Sequence, residues 1–220
     1  MLRLFTPVAI VCDRTMLREA DALRGVLESF RLHVDFHYFV QKRQILDFFS
    51  QPRNYAYTII FCHGSGETPE DMHLRLEVVD QEDGDYDTPG DEGWDHIVVE
   101  LTSTKISEYV QNREGTLLST ACGSGREPIA EAFLKSGYHS YIAPVHPDDP
   151  KEIYVDLDSS LVFFTSFFYY LMDGVDRDYS TTTYTEQEAA EKAAQLDPHF
   201  RFGTKIFKRY NEDKNAVSSF

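Results

Sequence analysis

The chain has 220 residues, of which 42% are hydrophobic and 14% aromatic, a composition that excludes a disordered polypeptide and supports a sizeable core. Its 21 Lys and Arg residues stand against 37 Asp and Glu residues, so the formal net charge is −16. Because so acidic a surface repels phosphate groups, we expect no nucleic-acid partner and no membrane partner.

Strands and helices alternate in the first part of the sequence. Short apolar or β-branched runs predict strands, and apolar residues at helical spacing predict helices between them. The predicted strands cover residues 6–12, 33–40 and 55–62, and the predicted helices cover residues 13–30 and 41–51. This βαβαβ order with short connections indicates a parallel sheet that carries helices on both faces.

An acidic interruption follows the third strand. Residues 74–79 and 96–101 predict the two strands of a β-hairpin, and residues 80–95 between them carry eight carboxylates. The spacing of these carboxylates does not match an EF-hand calcium loop, because Pro89 falls at the fifth position counted from Asp85. We interpret the tract as a solvated loop, or as a surface that repels or docks a regulatory protein partner.

The alternation resumes after the hairpin. Helices are predicted over residues 102–112, 127–136, 158–173 and 185–196, and strands over residues 115–121, 138–144 and 202–210. Ser103 or Thr104 is the expected N-cap of the first of these helices. Thr185 and Glu188 have the spacing of a capping box at the start of the last one.

The whole pattern predicts one domain over residues 1–210 and a polar C-terminal tail over residues 211–220. The first residues lack the apolar segment and cleavage site of a signal peptide, and the longest apolar run, residues 161–172, is too short to span a membrane. Three widely spaced cysteines do not form a disulfide framework, and Cys12 and Cys62 are expected to be small core residues. These features predict a reduced, cytoplasmic protein.

Two strand ends carry residues suited to nucleophilic catalysis. Ligands of parallel sheets bind at the carboxyl ends of the strands. The third strand runs into His63-Gly64, and the next strand of the alternation runs into Cys122-Gly123. A thiolate nucleophile needs a nearby imidazolium or helix N-terminus, and a helix is predicted to start near Arg126. Glycine lets a peptide substrate approach and leaves backbone N–H groups free to bind an oxyanion.

These two motifs in this order resemble the caspase-like cysteine peptidases, and residues 116–172 are most similar to the CHAT branch of that superfamily. The similar segments are Leu-Leu-Ser-Thr-Ala-Cys at 117–122, Ala-Phe-Leu-Lys-Ser-Gly at 132–137, Tyr-Ile-Ala-Pro at 141–144 and Phe-Phe-Tyr at 167–169. The resemblance extends over about residues 56–207. The segment after the strand predicted over residues 138–144 departs from the CHAT pattern, because Val145-His146-Pro147 stands where a tryptophan is usual.

The resemblance implies a three-layer α/β sandwich, in which helices flank a mainly parallel sheet and the β-hairpin is inserted after the third strand. It also implies a cysteine endopeptidase that uses neither a cofactor nor a metal. His63 would be the general acid–base, and Cys122 would be the nucleophile that forms an acyl-enzyme. The backbone N–H groups of Gly64 and Cys122 would form the oxyanion hole. The substrate would be a peptide or a protein.

The expected substrate pocket contains acidic groups. Thr120 occupies a position that lines the pocket in the family, where metacaspases carry Asp and caspases carry Gln. His146, Asp148 and Asp149 follow the strand predicted over residues 138–144, at the rim of the pocket, and Asp158 stands at a helix start. Since an acidic cleft concentrates cationic ligands, we predict a preference for Arg or Lys at P1. A proline-bounded turn and a simple helix cap are the structural alternatives for these rim residues.

The alternative function is a catalytically inactive caspase-like domain that acts as a binding or scaffold module. Labelling of Cys122 by a thiol-reactive peptide probe discriminates between the two functions. The His-Gly-Ser-Gly segment at 63–66 also resembles the oxyanion loop of α/β-hydrolases, but the chain has no Gly-x-Ser-x-Gly nucleophile elbow. The Gly-Ser-Gly-Arg segment at 123–126 lacks the Gly-Lys-Ser/Thr sequence of a P-loop.

Overall fold

A computed structural model describes residues 6–66, 68, 70–79, 96–111, 113–145, 157–172, 184–196, 206–211 and 218–219. The strands are β1 (Pro7–Cys12), β2 (His33–Tyr38), β3 (Tyr57–Phe61), β4 (His63–Ser65), β5 (His73–Val79), β6 (His96–Thr102), β7 (Thr116–Ser119), β8 (Ser140–Val145), β9 (Ile206–Asn211) and β10 (Ser218–Ser219). The helices are α1 (Leu17–Ser29), α2 (Lys42–Ser50), α3 (Ser103–Tyr109), α4 (Glu127–Lys135), α5 (Leu157–Leu171) and α6 (Glu186–Ala194). Within these described ranges, no helix has both the length and the apolar character needed to cross a membrane.

A seven-stranded sheet forms the centre of the protein, with strand order β10-β9-β8-β7-β3-β1-β2. The five strands β2, β1, β3, β7 and β8 run parallel, whereas β9 is antiparallel to β8 and β10 is antiparallel to β9. Since β10 lies within the predicted polar tail, part of that segment extends the sheet. The mainly parallel sheet confirms the predicted α/β class.

Helices cover both faces of this sheet. Buried residues of α1, α5 and α6 form one apolar cluster with Ile10 and Ile59, and those of α2, α3 and α4 form a second cluster with Val11 and Ile60. Successive residues of β1 and β3 therefore point to opposite faces, and both faces are buried. Burial on both faces explains why these strands consist mainly of apolar and β-branched residues. The predicted three-layer sandwich is confirmed.

The insertion after β3 forms a second, three-stranded sheet. β5 pairs antiparallel with β4 on one side and with β6 on the other, which confirms the predicted hairpin. The three-residue strand β4 was not predicted, because the segment is too short to show a period. Leu74, Leu76 and Val78 of β5 are buried in the cluster that contains α2, whereas the residues between them face outwards. The small sheet therefore packs one face on the domain and leaves the other near solvent.

The caps of two helices test the predicted boundaries. Thr102, rather than Ser103 or Thr104, is the N-cap of α3, because its hydroxyl accepts the backbone N–H three residues later at 3.2 Å. Thr185 caps α6, and the Glu188 carboxylate accepts the Thr185 backbone N–H at 2.8 Å, which confirms the predicted capping box. The sequence therefore located both helices, and the two N-caps predicted for α3 lie one and two residues after the observed one.

A buried carboxylate joins the large sheet to the small one. Asp13 directly follows β1 and is fully buried, although the sequence indicated only a helix start there. Its Oδ1 accepts hydrogen bonds from the backbone N–H (2.8 Å) and the hydroxyl (2.6 Å) of Thr15. Its Oδ2 accepts the backbone N–H of Glu77 in β5 at 2.7 Å. Asp13 therefore fixes the small sheet against the carboxyl end of β1.

Asp13→Ala is expected to lower the free energy of unfolding by about 3 kcal/mol, because three donors lose a charged acceptor inside the protein. Urea unfolding followed by circular dichroism measures this change. Asp21→Ala is the matched control, since the Asp21 side chain is 67% exposed, and its effect should stay below about 0.5 kcal/mol. Equal unfolding midpoints for the two variants would contradict the role given to Asp13.

Candidate active site

The two sequence motifs meet at one edge of the large sheet. β3 and β7 are adjacent and parallel, with Ile60 paired with Ser119. The backbone N–H of Thr120 donates to the Ile60 carbonyl at 3.0 Å, so the pairing continues to the ends of both strands. The chain leaves β3 toward His63 and leaves β7 toward Cys122. Both residues therefore follow the carboxyl ends of neighbouring strands, as the sequence predicted.

The backbones of Gly64 and Cys122 are in direct contact. A Cβ atom built on Gly64 would lie 2.0 Å from the carbonyl oxygen of Cys122 and 2.8 Å from its nitrogen. No side chain fits in that space, because real Cβ atoms do not approach backbone atoms so closely. Glycine after His63 is therefore a packing requirement of this contact, in addition to any role of its N–H group.

Hydrogen bonds hold the turn that carries Cys122. The Ser119 hydroxyl accepts the backbone N–H of Ala121 at 3.1 Å, and the Ser124 hydroxyl donates to the Ala121 carbonyl at 2.7 Å. Gly123 follows Cys122 with φ +65°, a left-handed conformation that favours glycine. No sequence pattern points to these two serines, because they are buried and act through the backbone. Together these contacts fix the position of the Cys122 backbone before α4 begins.

The three thiols differ in their surroundings. Cys12 and Cys62 are buried, whereas Cys122 is partly exposed. Burial raises the pKa of Cys12 to about 12, with the negative charges of Asp13 and Asp21 adding to the effect. Burial also raises the pKa of Cys62 well above its usual value, and negative charges at Asp13 and Cys122 raise it further. The thiols of Cys12 and Cys62 are therefore protonated and packed in the core. Of the three thiols, that of Cys122 is the accessible one.

The His63 side chain is exposed at the start of β4. Within the part of the chain that the structure describes, its imidazole has no hydrogen-bond partner. Catalytic hydrogen bonds are often long or poorly aligned in structures without a substrate, so this arrangement is compatible with a catalytic role for His63.

Thr120 has a structural role in this fold. Its side chain is buried, its hydroxyl accepts the backbone N–H of Cys62 at 3.1 Å, and the same hydroxyl lies 3.2 Å from the Cys62 carbonyl. These bonds tie the end of β3 to the end of β7. Thr120 therefore directs its polar group into the sheet, although the resemblance implied that this position lines the substrate pocket.

The other expected pocket residues are only partly described. Asp158 is exposed in the first turn of α5, where a carboxylate interacts favourably with the helix dipole. His146, Asp148 and Asp149 lie outside the described residues, as does the acidic tract at residues 80–95. Among the residues that the structure describes, no group of three or more His, Cys, Asp or Glu side chains is arranged to hold a metal ion.

A cavity of about 650 Å³ lies between the ends of α3 and α4, at the opposite edge of the sheet from His63. Arg113 in its wall is buried, and its guanidinium lies over the rings of Phe48 and Phe49 while donating to the Phe48 carbonyl. Burial lowers the pKa of Arg113. Because the guanidinium packs on aromatic rings away from solvent, Arg113 stabilises the position of α2 and does not belong to the candidate active site.

Two solved structures are similar to this fold. The Drosophila initiator caspase Dronc aligns with a TM-score of 0.51 and 11% identity, over 99% of this chain and 84% of that chain. The Arg-specific cysteine proteinase gingipain R aligns with a TM-score of 0.52 and 10% identity, over 91% of this chain and 44% of that chain. No family model and no curated protein matches the chain. The chain therefore has a caspase-like fold, and membership of the CHAT branch stays a prediction.

Proposed function

We propose that this protein is a cysteine endopeptidase in which Cys122 is the nucleophile and His63 is the general acid–base. The observation that carries the proposal is the packing of Gly64 on the Cys122 backbone. The contact is so close that a Cβ atom added to Gly64 would lie 2.0 Å from the Cys122 carbonyl oxygen. This contact supports a dyad, because His63 and Cys122 belong to the two segments that touch. The Cys122 side chain is partly exposed, whereas those of Cys12 and Cys62 are buried, and this difference also supports its role.

In the acylation step, the Cys122 thiolate attacks the carbonyl carbon of the scissile peptide bond, and the carbonyl oxygen becomes an oxyanion. The backbone N–H groups of Gly64 and Cys122 donate hydrogen bonds to that oxyanion. When the intermediate collapses, the C–N bond breaks and the His63 imidazolium protonates the leaving amine. A thioester between Cys122 and the N-terminal half of the substrate remains.

In the deacylation step, neutral His63 accepts a proton from a water molecule, and the resulting hydroxide attacks the thioester carbon. The C–S bond then breaks, which releases the carboxylic acid product and restores the Cys122 thiolate beside the His63 imidazolium. Both steps use the same two side chains and the same oxyanion site. No cofactor or metal takes part in this scheme.

The proposed substrate is a peptide or protein with Arg or Lys at P1. Exposed carboxylates near the described strand ends support this preference, namely Glu70 and Asp71 after β4 and Asp158 in α5. Because the Thr120 hydroxyl is bonded to the Cys62 backbone, the carboxylate that binds a basic side chain would come from another residue. Gingipain R is an Arg-specific enzyme, so a fold of this kind accommodates a basic P1 residue.

A peptide probe that ends in Arg and carries a thiol-reactive acyloxymethyl ketone should label this protein at Cys122. Mass spectrometry of the digested protein identifies the labelled cysteine. Labelling should disappear when the protein is unfolded in urea before the probe is added, since the reaction depends on the assembled site. A matched probe that ends in Asp should label Cys122 more slowly.

The same experiment separates the proposal from its alternative. A scaffold module without peptidase activity would leave Cys122 unlabelled by both peptide probes, even if a simple alkylating agent reacted with it. That result would contradict the peptidase and favour a binding function, whereas equal labelling by the two probes would contradict only the preference for Arg at P1. Labelling of His63→Ala at the rate of the unaltered protein would contradict the dyad.

A further inference from the structure

Arg75 lies beside His63 in the small sheet. The register of β4 and β5 pairs His63 directly with Arg75. Residues directly opposite in an antiparallel pair point to the same face, with Cβ atoms about 5 Å apart. The neighbours of Arg75 along β5, Leu74 and Leu76, are buried, so Arg75 and His63 belong to the outward face.

Arg75 has no ionic partner among the described residues. Glu100, which the register of β5 and β6 places opposite Arg75, approaches Nε2 of His73 at 3.5 Å instead. Glu77, two residues along β5, approaches Arg14 at 3.9 Å. No described carboxylate lies within ion-pair distance of the Arg75 guanidinium. Its charge and its N–H donors are therefore available to a ligand that binds at this face.

The chemistry of the proposed dyad determines which part of a substrate passes Arg75. The acyl half of the substrate becomes attached to Cys122, which follows a strand of the large sheet. His63 protonates the amine of the leaving half, so that half must pass over His63 and the small sheet to which it belongs. Within that sheet, Arg75 is the register neighbour of His63. We therefore expect the residues just after the scissile bond to lie beside Arg75.

We propose that Arg75 forms a subsite for an acidic side chain, Asp or Glu, at P1′ or P2′ of the substrate, an inference that rests on the proposed peptidase function. A guanidinium and a carboxylate pair through two parallel N–H···O bonds, which gives both affinity and orientation. The formal net charge of the chain is −16, so the positive charge of Arg75 beside His63 is opposite in sign to the charge of the whole chain. The enzyme would then select a basic residue before the scissile bond and an acidic residue after it.

Internally quenched peptides with Arg at P1 test this subsite. The peptides carry Glu, Gln or Lys at P1′ or at P2′, and kcat/KM is measured for each. The unaltered protein should cleave a Glu peptide about fivefold to tenfold faster than its Gln counterpart at low salt. In R75Q the two values should become equal, and in R75E the Lys peptide should become the preferred one. The preference should weaken as salt rises, because salt screens the pair.

Arg43→Gln is the matched control, because Arg43 lies on α2 with its side chain 87% exposed and pairs with Asp47. This variant should keep the preference for Glu. Equal cleavage of Glu and Gln peptides by the unaltered protein, or an unchanged preference in R75Q, would overturn the subsite and leave the peptidase standing. Absence of cleavage for every peptide, together with absence of probe labelling, would overturn the peptidase and the subsite together.

Discussion

Replacing Cys122 with alanine is expected to lower kcat/KM by at least about 10⁴-fold for a fluorogenic peptide with Arg at P1, because the acyl-enzyme can no longer form. His63→Ala should lower it by about 10³-fold, since the leaving amine is then expelled without a proton donor. Both side chains follow strand ends, one exposed and the other partly so. We therefore expect the free energy of unfolding to change by less than about 1 kcal/mol in either variant.

The buried cysteines provide the controls for this result. Cys12→Ala and Cys62→Ala should each lower the free energy of unfolding by about 1–2 kcal/mol, because each removes a packed atom from the core. Hydrolysis should persist in both, since burial keeps these thiols protonated. Unchanged hydrolysis by Cys122→Ala, or loss of hydrolysis by Cys12→Ala at a temperature where it stays folded, would contradict the mechanism.

The order of helices and strands could be predicted from the sequence because each parallel strand is buried on both faces. Such a strand is mainly apolar, and the helix that follows must present one apolar face, so the two patterns are easy to separate. β1 and β3, for example, consist mainly of apolar and β-branched residues, and the structure confirms both. The three-layer arrangement follows from the short connections that join these elements.

Features that depend on distant contacts could not be predicted. Asp13 and Glu77 are 64 residues apart in the chain, and nothing in the local sequence indicates that the Asp13 carboxylate accepts a backbone N–H of β5. The same reason applies to β4, because a strand of three residues is defined by its partner and not by its own periodicity. The cap of α3 depends on which of three adjacent hydroxyls reaches the free N–H groups.

The position of the candidate site could be predicted from the rule that ligands of parallel sheets bind at the carboxyl ends of the strands. His63 and Cys122 follow the carboxyl ends of two strands, and the adjacency of β3 and β7 brings them to one edge. Their chemical roles stay a prediction. The orientation of the Thr120 side chain could not be predicted in the same way. Its hydroxyl could face a substrate or bond to the backbone of Cys62, and the sequence does not distinguish these two cases. A hydroxyl next to an unpaired backbone N–H commonly satisfies that group.

The contact between Gly64 and Cys122 leads to a second prediction with a large effect. Gly64 does not have a positive φ, so alanine is compatible with its backbone conformation, and the whole effect of Gly64→Ala must come from the added methyl group. That group would lie 2.0 Å from the Cys122 carbonyl oxygen and 2.9 Å from its carbonyl carbon. Neither neighbour is a flexible side chain, so the chain after β3 must separate from the chain after β7.

Gly64→Ala is therefore expected to lower the free energy of unfolding by about 2 kcal/mol, as overpacking does in a core, and to lower kcat/KM by about 10²-fold. A displacement of about 1 Å is sufficient for that loss, because the thiolate, the imidazole and the oxyanion donors must act on one carbonyl group at once. Gly25→Ala is the control, since a Cβ at that position in α1 meets nothing within 4 Å apart from the backbone of its own helix and its two chain neighbours. Alanine there should raise the free energy of unfolding by about 0.5–1 kcal/mol and leave hydrolysis unchanged.

If Gly64→Ala kept the unfolding midpoint and the probe-labelling rate of the unaltered protein, the two segments would not be packed as the structure has them, and the dyad would lose its main support.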